Sequence, residues 1–410
     1  MRKLTLDEWE SKYIAEPVDR FDQKYQMFNR PTWDPEIQGL LKDWSFFSEA
    51  KDKLGYTLQD QALQQASGIG TQLALFNTSK PNPSPVSKAI IAAMMAGKLS
   101  GPAMARAPRE RPKINISDPE VLTRDIKKVA TYFGANIVGI CRLDRRWVYS
   151  HTYESARLDQ GDAGEKAVGE SKPQEIPPEF EYAVVMGFEE EYDMMKYFPT
   201  YIADAPTSMG YSRMAIANAH FSAFIRNLGY KAIDCSTNDV ALSIPMAMQA
   251  GLGDLGRNGL LITPQFGPRL RLSKVITDLP LLANSPIDFG VTEFCAVCKK
   301  CADLCPSRAI TFGERTIEPN NVSNAGGAIK WRIDAEKCRV YWSRVKKGCT
   351  ICVACCPYNK ANTWSHRTVR WFTDHARWLD AFCVRMDDLL GYGKPKKAEN
   401  FWEEWRPSRH

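Results

Sequence analysis

The chain has 410 residues, 44% of them hydrophobic and 25% charged, with a formal net charge of +6. That length suits two or three domains with a substantial core, and the composition is ordinary for a soluble protein. The charge counts every cysteine as neutral, so metal-bound thiolates would lower it, and a nucleic-acid partner gains no support from it. No apolar run approaches the roughly 20 residues that a membrane span requires; the longest, Ala89 to Ala96, reads as a buried helix piece.

Residues 1–115 read as an N-terminal helical arm rich in aromatics. Trp9, Tyr13, Phe21, Tyr25, Phe28, Trp33, Trp44, Phe46 and Phe47 are spread along its first half. They are expected to pack the arm onto a larger body, and a few are candidates for the wall of an apolar pocket. The opening Met1-Arg2-Lys3-Leu4-Thr5 carries no signal peptide. That fits either a cytoplasmic protein or a mature chain whose leader was removed. Residues 101–112 form a basic, proline-rich linker.

A second domain spans 116–290. Ser117-Asp-Pro-Glu120 reads as a capping box with Pro119 in the first turn, opening a helix to about Phe133. Strands follow at 136–142 and 182–187, separated by a polar stretch at 151–178 taken as a surface insertion. A helix from about Ser212 to Leu228, a strand from Tyr230 to Asp234 and a helix from Ala241 to Ala250 complete an alternating α/β or α+β pattern. Gly251-Leu-Gly253-Asp-Leu-Gly256 fits the dinucleotide fingerprint by letter only. A helix precedes it and an apolar strand comes after it, the reverse of the context that motif needs. A Gly-rich loop approaching a flat, bulky ligand is the reading kept for it.

Residues 291–365 carry the densest signal. Cys295-x-x-Cys298-x-x-Cys301-x-x-x-Cys305-Pro306 has the bacterial ferredoxin spacing. There, three cysteines hold one 4Fe-4S cluster and the fourth crosses to another. Cys338 and Cys349-x-x-Cys352-x-x-Cys355-Cys356-Pro357 follow. One cluster is assigned to Cys295, Cys298, Cys301 and Cys356, the other to Cys305, Cys338, Cys349 and Cys352. Cys356 is preferred to Cys355 because only it precedes a proline, as Cys305 does. Zinc sites use paired Cys-x-x-Cys or Cys/His sets, and disulfide frameworks suit short secreted chains, so neither fits. Residues 366–410 read as a C-terminal extension.

Three further stretches complete a pattern: Pro206-Thr-Ser-Met-Gly-Tyr211-Ser-Arg-Met214, Gly251 to Thr263, and Thr277-Asp-Leu-Pro-Leu281. Together with the cluster order they resemble the corrinoid- and iron–sulfur-dependent reductive dehalogenases over about residues 115–365. The resemblance implies an α+β fold with a nitroreductase-like corrinoid-binding core and a C-terminal two-cluster, ferredoxin-like domain. It implies a cobalamin-type corrinoid bound base-off. Consistent with that, the five histidines form no Asp-x-His-x-x-Gly pattern. The corrinoid contacts it implies are Thr207, Ser208, Met209, Gly210, Asn238, Ser243, Gly253, Asn258 and Gly259.

The implied reaction replaces a halogen, chlorine by expectation, with hydrogen on a small organohalide, using two electrons and one proton. Tyr211 is the expected proton donor, with Gly210 letting the chain lie close to a corrin ring. A nearby cation would favour its phenolate. Read as a strand, Leu270, Leu272, Lys274 and Ile276 share one face, and Arg269, Arg271 and Ser273 the other. A lysine on an apolar face is the odd one, so Lys274 is preferred to Arg271. A one-residue slip in register reverses that choice.

The family further implies export by a twin-arginine leader to the extracytoplasmic face of the membrane. It also implies an electron-donating redox partner and a small membrane-anchor protein, and no nucleic acid. Two other readings compete. Epoxyqueuosine reductase shares the cluster layout and corrinoid but acts on tRNA, and should show a basic face. The aromatic arm and the Tyr211 segment stand against it. A non-enzymatic electron carrier would need only about seventy residues around its clusters.

Overall fold

The computed structural model describes residues 1–41, 51–68, 70, 112–154, 170–361, 363–399 and 401–406. Trp44, Phe46, Phe47, the Ala89–Ala96 segment and nearly all of the 101–112 linker lie outside the described residues.

The arm starts with β1 (Arg2–Lys3) and α1 (Leu6–Tyr13). Thr5 caps α1 by accepting from the Glu8 amide at 3.1 Å, while Glu8 accepts from the Thr5 amide at 2.8 Å. Trp9 and Tyr13 are buried in the same cluster as Trp147, Val148 and Val185, so the arm is part of the main core. A second helix, α2 (Leu58–Ser67), is boxed in the same way by Thr57 and Asp60.

Helix α3 (Pro119–Tyr132) is capped one residue later than expected. Asp118, not Ser117, accepts from the amides of Glu120 and Val121. Then come β2 (Ile137–Arg142), β3 (His151–Glu154), β4 (Glu170–Pro173) and β5 (Tyr182–Glu189). β3 and β4 pair antiparallel, so the flanks of the 151–178 stretch form a ribbon rather than irregular chain.

The largest departure is α4, which runs uninterrupted for 27 residues from Tyr201 to Asn227. Pro206 and Gly210 read as breakers, yet both lie inside it. Thr200 caps it, and its first turns are buried through Tyr201, Ile202, Ala203 and Ala205. Tertiary packing of this kind overrides local propensity. After α4 come β6 (Ala232–Cys235), α5 (Ser243–Gln249), the small hairpin β7 (Asp254–Leu255) and β8 (Leu261–Ile262), and then β9 (Leu270–Thr277). The Gly251–Gly259 stretch is thus the hairpin and its approach, consistent with rejecting a dinucleotide loop. β10 (Ile287–Asp288) pairs with β1.

The central sheet has strand order β2-β5-β9-β6 and every pairing is antiparallel, which makes the class α+β. Both faces are covered. α5 and the arm lie on one, with Val185, Leu270 and Ile276. α3 and α4 lie on the other, with Val184, Met186 and Val275. Two-sided burial explains the nearly continuous apolar run of β5.

The iron–sulfur segment contains α6 (Val291–Cys298), a short helix at Lys300–Asp303, α7 (Ala335–Val345) and α8 (Ile351–Ala354). Two further helices follow, α9 (Trp364–His375) and α10 (Asp380–Leu389). The stretch set apart as an extension is not separate. Cys383 and Val384 pack against Phe294, Cys295, Cys356 and Tyr358.

The cap assignment has a direct check. Asp118→Ala should cost about 1 kcal/mol in urea unfolding, the usual cost of losing an N-cap. Ser117→Ala should leave the midpoint unchanged.

Candidate functional site: two cysteine clusters and a polar patch on α4

Cys295 and Cys298 lie on one face of α6, three residues apart. The helix then breaks at Lys299, whose φ of 51° is left-handed, and the chain turns so that Cys301 follows on a separate helix. A cavity is lined by Cys295, Cys298, Cys301 and Cys356 together with Arg257, Asn258, Ile262, Phe294 and Tyr358. Cys355 is fully buried beside it but is not among the lining residues.

Burial pushes the Cys298 thiol up to about 11 and the Cys356 thiol up to about 12, and their mutual repulsion adds to the latter. Metal has to drive off such protons. Among the described residues, no three Cys, His, Asp or Glu side chains converge as a single-ion site would require.

Arg257 is the buried cation lining this cavity, beside the less buried Lys299, and sequence reasoning passed over it. It is 1% exposed. Its Nε donates to the Cys295 carbonyl at 2.9 Å, and its Nη1 to Thr311 and Gly313 carbonyls at 2.8 and 2.9 Å. Its Nη2 has no partner among the described residues. A buried guanidinium with a spare N–H, set beside four cysteines, fits an anionic cluster.

Cys305, Cys338, Cys349 and Cys352 form a second group. Burial raises the Cys338 thiol to about 12, reinforced by Cys349 and Cys305. Burial also raises Cys352, with Cys349, Cys338 and Cys305 adding to it. Burial would raise Cys305 too, but the Ser307 hydroxyl and the amides of Ala309 and Ile310 outweigh it and hold that thiol low. The Ala309 amide donates to Cys305 Sγ at 3.3 Å.

The second group abuts the start of α4. Ala203 and Phe198 pack with Ile351, Ala354 and Cys349. The Gly348 amide donates to Asp204 Oδ2 at 3.4 Å. Burial raises the Asp204 carboxyl, with Lys347 opposing.

Tyr211 lies seven residues further along the same helix, half-buried, about 10 Å down the axis at 1.5 Å per residue. Its neighbour is Arg271, whose guanidinium carbon is 5.2 Å from the ring centroid. Arg271 Nε donates to Glu190 Oε1 at 2.8 Å, and Nη2 to Thr207 Oγ1 at 3.3 Å. Burial opposes the Arg271 charge, but Glu190, then Tyr211 and Asp204, hold its pKa above the ordinary arginine value. Glu190 is 1% exposed, and its Oε2 has no partner among the described residues. Its signal in the sequence was the run Glu189-Glu190-Glu191 closing an apolar strand.

Lys274 is not beside Tyr211. The strand faces are as expected, with Leu270 and Ile276 on the α5 side. However, α4 covers the opposite face, where Arg271 projects. Lys274 is fully buried on its own side, and its Nζ donates to the Thr237 carbonyl at 2.8 Å and to Ser243 Oγ at 3.0 Å. The cation beside Tyr211 is therefore Arg271, not Lys274 as expected.

The residues assigned to the corrinoid fall in three places. Thr207, Ser208, Met209 and Gly210 flank Tyr211. Ser208 accepts from Gln64 at 3.1 Å, and Met209 is 45% exposed. Gly210 makes room for Arg271, since a Cβ there would lie 2.8 Å from Arg271 Cγ. Asn238 and Ser243 bond each other at 2.8 Å beneath Lys274. Gly253 is covered by the Ile262 carbonyl and Gly259 by Ile333. Asn258 donates to the Cys352 carbonyl at 3.3 Å and lines the cysteine cavity.

Residues 294–359 match the 4Fe-4S double cluster binding domain. The chain is thus a two-cluster iron–sulfur protein, its cluster segment built onto an α+β core. Tetrachloroethene reductive dehalogenase of Sulfurospirillum multivorans is 41% identical over 301 residues, 70% of this chain and 60% of that protein. A solved reductive dehalogenase, described as suggesting a mechanism for B12-dependent dehalogenation, is 31% identical. It has a TM-score of 0.59 over 68% of this chain and 38% of its own. A catabolic reductive dehalogenase is 26% identical, with a TM-score of 0.67 over 93% and 48%. The chain belongs to the reductive dehalogenase family, and it spans less than two thirds of the length of each of these relatives.

The ligand assignment is tested by iron content. The reconstituted chain should hold about eight irons, as two four-iron clusters require. Cys355→Ser should keep them and Cys356→Ser should lose about half. The reverse pattern would exchange the two residues.

Proposed function

We propose that the protein is a corrinoid-dependent reductive dehalogenase that replaces chlorine with hydrogen on a chlorinated ethene or a similarly small organohalide. The observation that carries this is one helix, α4, with Tyr211 beside Arg271 and its first turn against the loop of Cys349. The family relationship and the relatives' chloroethene substrates support the same reading.

Replacing the halogen consumes two electrons and one proton and releases halide. A corrinoid, when bound, supplies the low-valent cobalt that such chemistry needs. Of the residues assigned to it, Thr207 and Met209 beside Tyr211 remain suited to contact it. A Cβ at Gly210, Gly253 or Gly259 would meet this chain's own atoms, Ser243 is engaged with Lys274, and Asn238 with Ser243.

Tyr211 Oη holds the proton destined for the carbon. A free phenol, with a pKa near 10, is a reluctant donor. Arg271 sets a fixed positive charge 5.2 Å from the Tyr211 ring centroid. Glu190 and Thr207 fix the guanidinium in place. The clusters feed electrons from the Cys349 side of α4. An exported, peripheral location, an electron-donating partner and a small membrane-anchor protein belong to the same proposal. Among the described residues, no helix is long and apolar enough to cross a membrane.

The test is anaerobic reconstitution with cobalamin, iron and sulfide, then halide release from a chloroethene panel with a reduced viologen as donor. Tyr211→Phe should keep cobalt and iron yet lose about 10²–10⁴-fold in turnover, the usual worth of general-acid catalysis. Arg271→Leu should also slow turnover, and the double variant should cost little more than Tyr211→Phe, since the two act as a unit. Near-normal rates in fully loaded Tyr211→Phe would move the proton to another group.

A further inference from the structure

Behind the residues that line the first cysteine cavity lie buried charges the proposed chemistry does not use. Lys300 lies between Cys298 and Cys301 in sequence, and Lys360 follows Cys356 by four residues. Both are buried, at 8% and 9% exposure, and so is Asp387 on α10, at 6%. Lys300 Nζ meets Asp387 Oδ2 at 2.7 Å, Asp388 Oδ1 at 2.6 Å and the Tyr392 carbonyl at 2.8 Å. Lys360 Nζ meets the other Asp387 oxygen at 2.5 Å and sits 3.9 Å from the centre of the Tyr392 ring. One carboxylate therefore grips two ammonium groups.

Such a network is expensive to bury and is weak evidence for stability alone. Its location points to another use. Lys300 immediately precedes Cys301, and its Cε packs with the Cys355 backbone around Gly393, so the network lies against the cysteine loops. Lys300 and Asp387 bias Cys298 in opposite directions, as Lys360 and Asp387 bias Cys356.

We propose that Lys300 and Lys360, positioned by Asp387, set the reduction potential of the cluster bound by Cys295, Cys298, Cys301 and Cys356. A thiolate-bound cluster is anionic and gains one further negative charge when reduced. Buried ammonium groups favour that reduced form, and a buried carboxylate disfavours it. Net charge around the cluster is a recognised determinant of its potential. Lys300, Lys360 and Asp387 are positioning residues that touch no substrate. The proposal rests on the two-cluster reading and its ligand assignment, not on dehalogenation, so loss of the proposed activity would leave it standing.

The experiment is a redox titration of the reconstituted full chain, followed by EPR, with iron content checked first. Lys360→Met should lower the midpoint of one cluster, and Asp387→Asn should raise it. Each shift should change the reduction equilibrium about tenfold, ~59 mV for one electron. The other cluster should stay put, and Lys360→Arg should restore the wild-type value.

Opposite signs are the decisive feature, because structural damage would move both variants the same way. Should Lys360→Met fail to load iron, the sign of the Asp387→Asn shift decides. A downward or absent shift in Asp387→Asn overturns the proposal, as do equal shifts of both clusters. A wrong ligand assignment shows itself separately, through the iron content of Cys356→Ser.

Discussion

The continuity of α4 is the constraint on which the site depends. The helix joins Asp204, at the loop carrying Cys349, to Tyr211, at the sheet carrying Arg271. A break at Pro206 would free the two ends to move independently. An interior proline removes one helical hydrogen bond and crowds the preceding turn, at about 3 kcal/mol. The burial of Tyr201, Ile202, Ala203 and Ala205 around it offsets that cost. A rigid element can hold a donor and an electron source at fixed separation, whereas a loop cannot.

The central sheet separates two cations of β9 onto opposite faces. Arg271 projects toward α4, where Glu190 and Thr207 hold it. Lys274 projects toward α5, where only neutral oxygens from Thr237 and Ser243 receive its hydrogen bonds. Burial lowers its pKa, against the influence of Cys235 and Asp239. The two differ by three positions in one strand, and the pleat alone separates their chemistry.

Much of the site was legible because its signals are local. Cysteine spacing is a covalent count, and it marked the cluster segment without knowledge of the fold. The faces of β9 followed from alternation. What alternation could not say was which face α4 covers, so Lys274 was preferred to Arg271. The start of α4 was missed because Pro206 and Gly210 argue locally against a helix. Arg257, Glu190 and Asp387 were missed for a common reason. Each acts on residues tens of positions away, and nothing in its immediate neighbourhood announces the partner. The close packing at Gly210 and Gly259, where a Cβ would meet Arg271 and Ile333, is likewise not readable from the glycines alone.

The cysteine loops are not a transplantable module, even though their motif is contiguous. One wall of the first cavity comes from the β7–β8 hairpin, through Arg257 and Asn258, and α10 supplies Asp387, the counter-charge of Lys300 and Lys360. A graft carrying only residues 291–365 would leave Arg257, Asp387 and Tyr392 behind. It would then expose Lys300 and Lys360 without their counter-charge. The same geometry orders maturation during synthesis. Residues 291–356 leave the ribosome before Asp387 does, so a cluster inserted early would sit beside unpaired Lys300 until α10 docks.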